Sequence, residues 1–582
     1  MSSGKNACRD AHRSVRRWGL TWRVPFSSAN IANEGDPSPI MIPYLSPKSW
    51  AEYLLKHYPE LVMGGHSGAR GQENLQAFWE CYKQAHPEHD MFSLPGGDSS
   101  ARWRKTLAMS LHGDEGRGQK KAQTFILMLE SNLGLETLPL SERKAKESSP
   151  NHKRCHGCDA PKGAHDMSLA VQQLTNLKGH SFLTKFVVCA LPAKLYRCSD
   201  EDGGEQPLSN LLTLIYHELR DLALNGFDVN GERWFIQLTG MKGDLDFHRK
   251  AASLQRCWKK QLGCNLMMCH ECAAGHALAP FEDCSNGAAW RDTLFFSRPW
   301  MDDAQTTPTA LVFENLRPER VLRRDLFHNT KMGVFRDYIG GTVTLLMWMG
   351  YFNLAGENNG RKLLFKRAHM LFKLWCCAVS ETPGLRSFSE GFFNLTSWSS
   401  YAWVNCKGSD SMMLLRWLQA QLVAFMGEPR CANDVETLRL MHEGCNYALC
   451  FMHRLYNHGL WLTPGCAKEV ASGMRRFIKV FNCLAHCAKT QYNYTAFPKK
   501  SKLHMLTHTV HDYEMWLSNP AIVRIPNVLM WSCEMNEDVI GRVSRLSRRC
   551  SAKQGARRTL ELYLIKCKAV SRRFRDNMQK RR

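Results

Sequence analysis

Leu107-Ala108-Met109-Ser110-Leu111-His112-Gly113-Asp114-Glu115-Gly116-Arg117-Gly118-Gln119-Lys120-Lys121 and, directly after it, Thr124-Phe125-Ile126-Leu127-Met128-Leu129-Glu130 read as strand, turn, strand. The run before His112 is short and mostly apolar, and the run after Gln123 is continuously apolar and bounded by turn residues, which suits buried strands. Asp114 is thereby expected at a strand end, among small residues, with cations just beyond it. A carboxylate in that setting can hold a divalent metal while the cations meet a phosphate backbone. A hairpin whose Asp and Gly serve only the turn has the same local appearance, so the surrounding order must decide.

With 582 residues and 44% hydrophobic content, the chain can bury a large core and form several domains, or one domain with a large insertion. Its net charge of +23 favours a polyanionic partner, and nucleic acid is the first expectation. The 23 cysteines in so long a chain, which begins with polar Met1-Ser2-Ser3-Gly4-Lys5, point to a reducing compartment and no signal peptide. The apolar run Gly341–Phe352 is too short for a membrane span and reads as a core helix.

Residues 1–100 mix Arg-rich and Pro-containing segments with helices over Ser49–Tyr58 and Glu73–Tyr82, and read as an accessory, partly disordered region. After the hairpin come a polar linker and Cys155-His156-Gly157-Cys158, a lone C-x-x-C that is a weak metal signal. A third strand is expected over Phe182–Leu191, a core-facing helix over Leu208–Leu224, and a fourth strand over Trp234–Thr239 that runs into Gly240-Met241-Lys242-Gly243-Asp244. Three strands, a helix and a strand, with one acid after the first strand and another after the last, is the order of an RNase H-like domain. There the first and fourth strands are neighbours, so Asp114 and Asp244 would share a site. Asp246 is the rival for the second acid. Beyond lies Cys269-His270-Glu271-Cys272; with His276 and Cys284 it offers four N/S donors for one structural Zn²⁺, against reduced cysteines at a helix start.

The series His112-Gly113-Asp114-Glu115-Gly116-Arg117-Gly118, Lys242-Gly243-Asp244, Cys269-x-x-Cys272 and Asp325-Leu326-Phe327-His328 resembles the DDE/D transposases of the CACTA and Kyakuja-Dileera-Zisupton groups, over roughly residues 100–560. The resemblance implies an α/β, RNase H-like catalytic core interrupted by a large all-helical insertion. On that reading residues 101–255 are the first part of the core, 256–525 a zinc-knuckle-like segment with the helical insertion, 526–560 the last core helix and 561–582 a basic tail.

From Asp325 to Trp516 the pattern is helical throughout, with helices expected over Phe335–Tyr351, Arg361–Val379, Asp410–Phe425, Val435–Tyr456 and Ala467–Lys489. His504, His508 and His511 share one helix face after Lys499, Lys500 and Lys502. Because that lysine cluster suits an anion and no Cys is near in sequence, they read as phosphate-side or core histidines, with a metal face including Asp512 as the other option. In the last acidic cluster, Glu537 lies at the edge of the apolar face formed by Val539, Ile540, Val543 and Leu546, whereas Asp538 points towards Arg542. Glu537 is therefore the expected third acid, with Glu534 and Asp538 as the alternatives. From Gly541 onwards 15 Lys and Arg face only Glu561 and Asp576, which suits DNA-backbone contacts and nuclear import.

The implied activity is metal-dependent phosphodiester cleavage and strand transfer, with Asp114, Asp244 and Glu537 holding two Mg²⁺ or Mn²⁺ ions. The implied partners are transposon-end and target DNA, with self-association left open, no membrane and no small-molecule organic cofactor; the implied location is nuclear. Two other classes stay open: a catalytically inactive, transposon-derived DNA-binding protein, and a helical scaffold that binds proteins.

Overall fold

Both faces of the strand that carries Asp114 are buried from Thr106 to Gly113, one lined by Leu107, Met109 and Leu111 and the other by Thr106, Ala108, Ser110 and His112, and the computed structural model shows what covers them. It describes residues 7–33, 36–118, 122–135, 173–196, 206–254, 256–258, 267–295, 318–432, 434–551 and 554–581. After a two-stranded hairpin, β1 (Ser27–Asn33) and β2 (Asp36–Tyr44), the main sheet is built from β3 (Thr106–Arg117), β4 (Gln123–Ser131), β5 (Lys185–Pro192), β6 (Phe227–Val229), β7 (Glu232–Gly243) and β8 (Leu322–Arg324). The order is β5-β4-β3-β7-β6, with β8 pairing the far end of β7. The β3–β4 and β4–β5 pairs are antiparallel, whereas β3–β7 and β7–β8 are parallel. The mixed sheet is followed by a large helical region, so the class is α/β.

The expected hairpin is present, but β3 runs on through His112-Gly113-Asp114-Glu115-Gly116 to Arg117, in register with β4. Asp114 thus lies within the strand and not in its turn. The glycines make this continuation useful, because they let helices lie directly on the backbone. A Cβ at Gly116 would sit 1.9 Å from Ser544 Oγ, and one at Gly113 would sit 2.3 Å from the Phe247 ring. Successive strand residues point to opposite faces, so the Glu534–Ser547 helix covers the face of Gly116 and Asp114, and Phe247 covers the other.

The N-terminal residues differ from the expectation of a loosely ordered region. Trp22, Trp50 and Trp79 are fully buried in the main core. The indole of Trp50 donates to Val187 O on β5 (2.9 Å), and that of Trp79 donates to Thr106 O at the start of β3 (2.9 Å). Large apolar rings with one polar handle make such anchors, and they recruit the Pro47–His57 and Gly68–Ala85 helices to the sheet.

The helical region comprises Phe335–Trp348, Arg361–Ala378, Gly408–Gly427, Asp434–Asn457, Pro464–Tyr492 and Ser501–Ser518. Its apolar stripes pack on one another and on the sheet, in one continuous core. The chain then returns through Asn527, whose amide donates to Leu455 O and Gly459 O at 2.9 Å each, and enters the Glu534–Ser547 helix. Among the described residues, no helix is long and apolar enough to cross a membrane.

Candidate functional site

Register puts the acids in a row. On the parallel β3–β7 pair His112 faces Lys242, so Asp114 and Asp244 each lie two residues past the same rung; on β7–β8 Gly243 faces Arg324, so Asp325 follows at the level of Asp244. Asp244 and Asp325 directly follow the carboxyl ends of parallel strands, and Asp114 lies just past the end of the parallel β3–β7 ladder, on the side where open α/β sheets present their ligand sites. Asp244 also caps the helix Leu245–Ala251, its Oδ1 accepting from Phe247 N at 2.8 Å. Asp246 is instead paired with Arg249 (3.2 Å) and Lys250 (3.5 Å).

The third side comes from the helix lying on Gly116. Glu537 stands one turn before Ile540, which touches Gly116, so it hangs over Asp114. The two carboxyl groups are hydrogen-bonding neighbours. Burial, then the charges of Glu537 and Asp244, push the Asp114 carboxyl well above the usual carboxylate range. Burial raises Glu537 too, although His328 opposes it. Of the alternatives for this position, Glu534 is taken by Lys331 (2.9 Å) and Tyr456, and Asp538 by Arg542 (2.7 Å) and Ser181 (2.6 Å).

A histidine closes the cluster. Asp325 caps the helix Leu326–Asn329 and accepts from Cys533 N at 3.0 Å, which ties it to the start of the Glu534–Ser547 helix. His328 Nδ1 meets Asp325 Oδ2 at 2.5 Å and its Nε2 stands 3.4 Å from Glu537 Oε1. Burial alone would lower His328, but the Asp325 and Glu537 charges outweigh it and lift it to about 9.

Beneath the acids lies a buried charge knot. Glu130 Oε2 binds Lys185 Nζ at 2.5 Å, and its Oε1 binds Lys242 Nζ at 2.7 Å and accepts from Asn536 Nδ2 at 2.8 Å. Burial opposes its charge, but the two lysines hold Glu130 down at about 2. Lys242 precedes Asp244 by two residues and Asn536 precedes Glu537 by one, so a single carboxylate links two of the acid-bearing elements.

A second ligand group sits after Asp244. Cys269, Cys272, His504 and His508 are all buried, with one donor atom from each within 4.8 Å of the others. Cys272 Sγ lies 3.4 Å from His504 Nε2 and 3.5 Å from His508 Nε2, and Cys269 Sγ lies 3.5 Å from His508 Nε2. Zinc bonds of about 2.3 Å to sulfur and about 2.0 Å to nitrogen in a tetrahedron place S and N about 3.5 Å apart, so the group fits a zinc-like ion. The thiols also accept N–H groups two residues on, from Glu271 (3.3 Å) and Ala274 (3.4 Å). Burial pushes His508 down to about 4, which keeps its ring nitrogen free for metal.

This corrects the expected ligand set. His276 and Cys284 stand outside the group: His276 Nδ1 accepts from Leu278 N, and Cys284 lies beside Thr507. Two histidines read as core or phosphate residues take their places, on the helix Ser501–Ser518. Their i, i+4 spacing was the available signal, since a C-x-x-C needs two more donors and such a pair supplies both. Cys155 and Cys158 lie outside the described residues. Neither a family model nor a curated protein sequence matches this chain.

Proposed function

We propose that the mixed sheet is an RNase H-like core and that the protein is a DNA transposase-type enzyme of the DDE/D class, cutting and joining phosphodiester bonds in nuclear DNA. The single observation that carries this reading is the convergence of Asp114, Asp244 and Glu537, from two neighbouring strands and one helix far apart in sequence, into one cluster. Three clustered carboxylates are a poor arrangement unless a cation offsets their repulsion. The donors of Asp114, Asp244 and Glu537 are all carboxylate oxygens, a set that suits hard divalent ions.

Asp114, Asp244 and Glu537 would hold Mg²⁺ or Mn²⁺, and two such ions would supply an activated nucleophile and a stabilised leaving oxygen. The chain's own parts do the positioning. The parallel register sets the spacing of Asp114 and Asp244; Asp325, through His328 and Cys533 N, holds the helix of Glu537. The Cys269–Cys272–His504–His508 group would take a structural Zn²⁺ and clamp the segment after Asp244 to the helical region. Exposed Arg545, Arg548, Arg549, Arg572 and Arg573 suit phosphate-backbone contacts.

The test is Mn²⁺-dependent cleavage of duplex DNA by the full chain. Asp114→Asn should lose about a hundredfold or more in rate, the equivalent of several kcal/mol, with DNA affinity retained. Equal cleavage by parent and variant would contradict the assignment, and DNA binding with no cleavage by the parent would favour the inactive DNA-binding protein.

A further inference from the structure

Of the lysines that open the Ser501–Ser518 helix, one enters the small pocket beside Asp244. Lys500 is spent on Asp337 (2.6 Å), whereas Lys502 lines that pocket with Asp244, Asp325 and His328. Its stem passes over Gly333, where a Cβ would come within 2.6 Å of Lys502 Cδ. The side chain is half-buried, and among the described residues its ammonium donates one hydrogen bond, to Met332 O at 3.1 Å, with no carboxylate within ion-pair distance. Asp244, Asp337 and Asp325 act on it from farther away.

An ammonium carries three donors, and a half-buried cation held in place by one carbonyl is positioned to bond an incoming anion through the others. A structural lysine would be expected to reach a carboxylate, as Lys185, Lys242 and Lys331 do in the same core. Two donors left over, beside acids that would hold metal ions, call for an anion arriving with those ions. We propose that Lys502 is a phosphate-binding residue of this pocket, taking a non-bridging oxygen of the DNA phosphodiester presented to Asp114, Asp244 and Glu537. The inference rests on reading the acid cluster as a phosphodiester site. It also makes the zinc-bound helix a direct contributor to substrate binding, because Lys502 and the ligand His504 share its first turn.

The experiment uses the full, zinc-loaded chain, with Mn²⁺ followed by electron paramagnetic resonance and inorganic phosphate followed by the Mn²⁺-induced broadening of its phosphorus NMR line. Phosphate should be broadened on the parent protein, and a short DNA duplex should displace it. Lys502→Met should weaken phosphate by about tenfold or more, the worth of a hydrogen bond to a charged group, with Mn²⁺ affinity unchanged. Lys502→Arg should retain phosphate binding, and Lys502→Met should melt at the same or a higher temperature, because it removes a cation that no carboxylate pairs. Parent-like phosphate binding by Lys502→Met, or a lower melting temperature, would overturn the proposal and make the lysine structural. Phosphate that DNA cannot displace would overturn the assignment to a phosphodiester. A parent protein that takes up no Mn²⁺ would instead bring down the reading of the acid cluster, and this inference with it.

Discussion

The Cys269–Cys272–His504–His508 group and the Asp114–Asp244–Glu537 cluster flank the same stretch of chain, and both are metal-type ligand sets of opposite character. The first is fully buried, soft and closed: four donors at tetrahedral spacing, each thiol accepting a backbone N–H. The second has only hard oxygen donors, is partly open, and sets like charges against one another; burial and then those charges push Asp114 far up. A closed set has no coordination position left for chemistry and contributes to folding. An open set of acids costs stability unless a cation offsets its repulsion. The predictions that follow measure this contrast.

The largest effect should come from the closed set. Cys272→Ser, or zinc removal by a chelator, should destabilise the chain by several kcal/mol, since metal-binding free energy is folding free energy here. Thermal melting with elemental analysis checks this, and zinc should also leave as pH falls, because its ligands must be deprotonated. A folded, zinc-free protein with parent-like stability would erase the contrast.

Next comes the charge knot under the open set. Glu130→Ala leaves Lys185 and Lys242 buried without their partner and should cost about 3–5 kcal/mol. Glu130 is held at about 2, below its unfolded value, so the stability it contributes is complete above about pH 4.5 and lost as pH falls towards 2. Denaturant melts of parent and variant across that range should converge at the acid end.

His328 should behave in the opposite sense. Its folded value of about 9 exceeds the ordinary 6.5, so in metal-free protein its contribution, up to about 3 kcal/mol, is complete below pH 6.5 and lost as pH rises through 9. A His328→Gln variant should therefore lose most relative to the parent at neutral pH and little above pH 9. The smallest effect is a gain: Asp114→Asn should stabilise the metal-free protein by about 1 kcal/mol, because it relieves repulsion with Glu537 and Asp244. Loss of stability in that variant would mean that the acids are structural.

What could be read from sequence follows from how locally each feature is encoded. The pairing of Asp114 with Asp244 was legible because strand order fixes which strand ends meet. The face on which Glu537 lies was legible because helical periodicity separates it from that of Asp538. The length of β3 was not, since Gly113 and Gly116 read as turn residues until a helix is seen lying on them. That the His504 and His508 metal face belongs with Cys269 and Cys272 was not legible, because more than 230 residues separate them and only the fold brings them together. The role of Trp22, Trp50 and Trp79 stayed hidden because their partners are backbone carbonyls or core residues on distant elements, which no local pattern marks.

The most direct test of the central claim, that Asp114, Asp244 and Glu537 form one open divalent-metal site distinct from the closed zinc group, is a calorimetric Mn²⁺ titration of the zinc-loaded protein and its Asp114→Asn variant. Mn²⁺ should bind the parent without displacing zinc, and the variant should lose that binding while its zinc content stays unchanged. Equal Mn²⁺ binding by parent and variant, or none by the parent, would contradict the account.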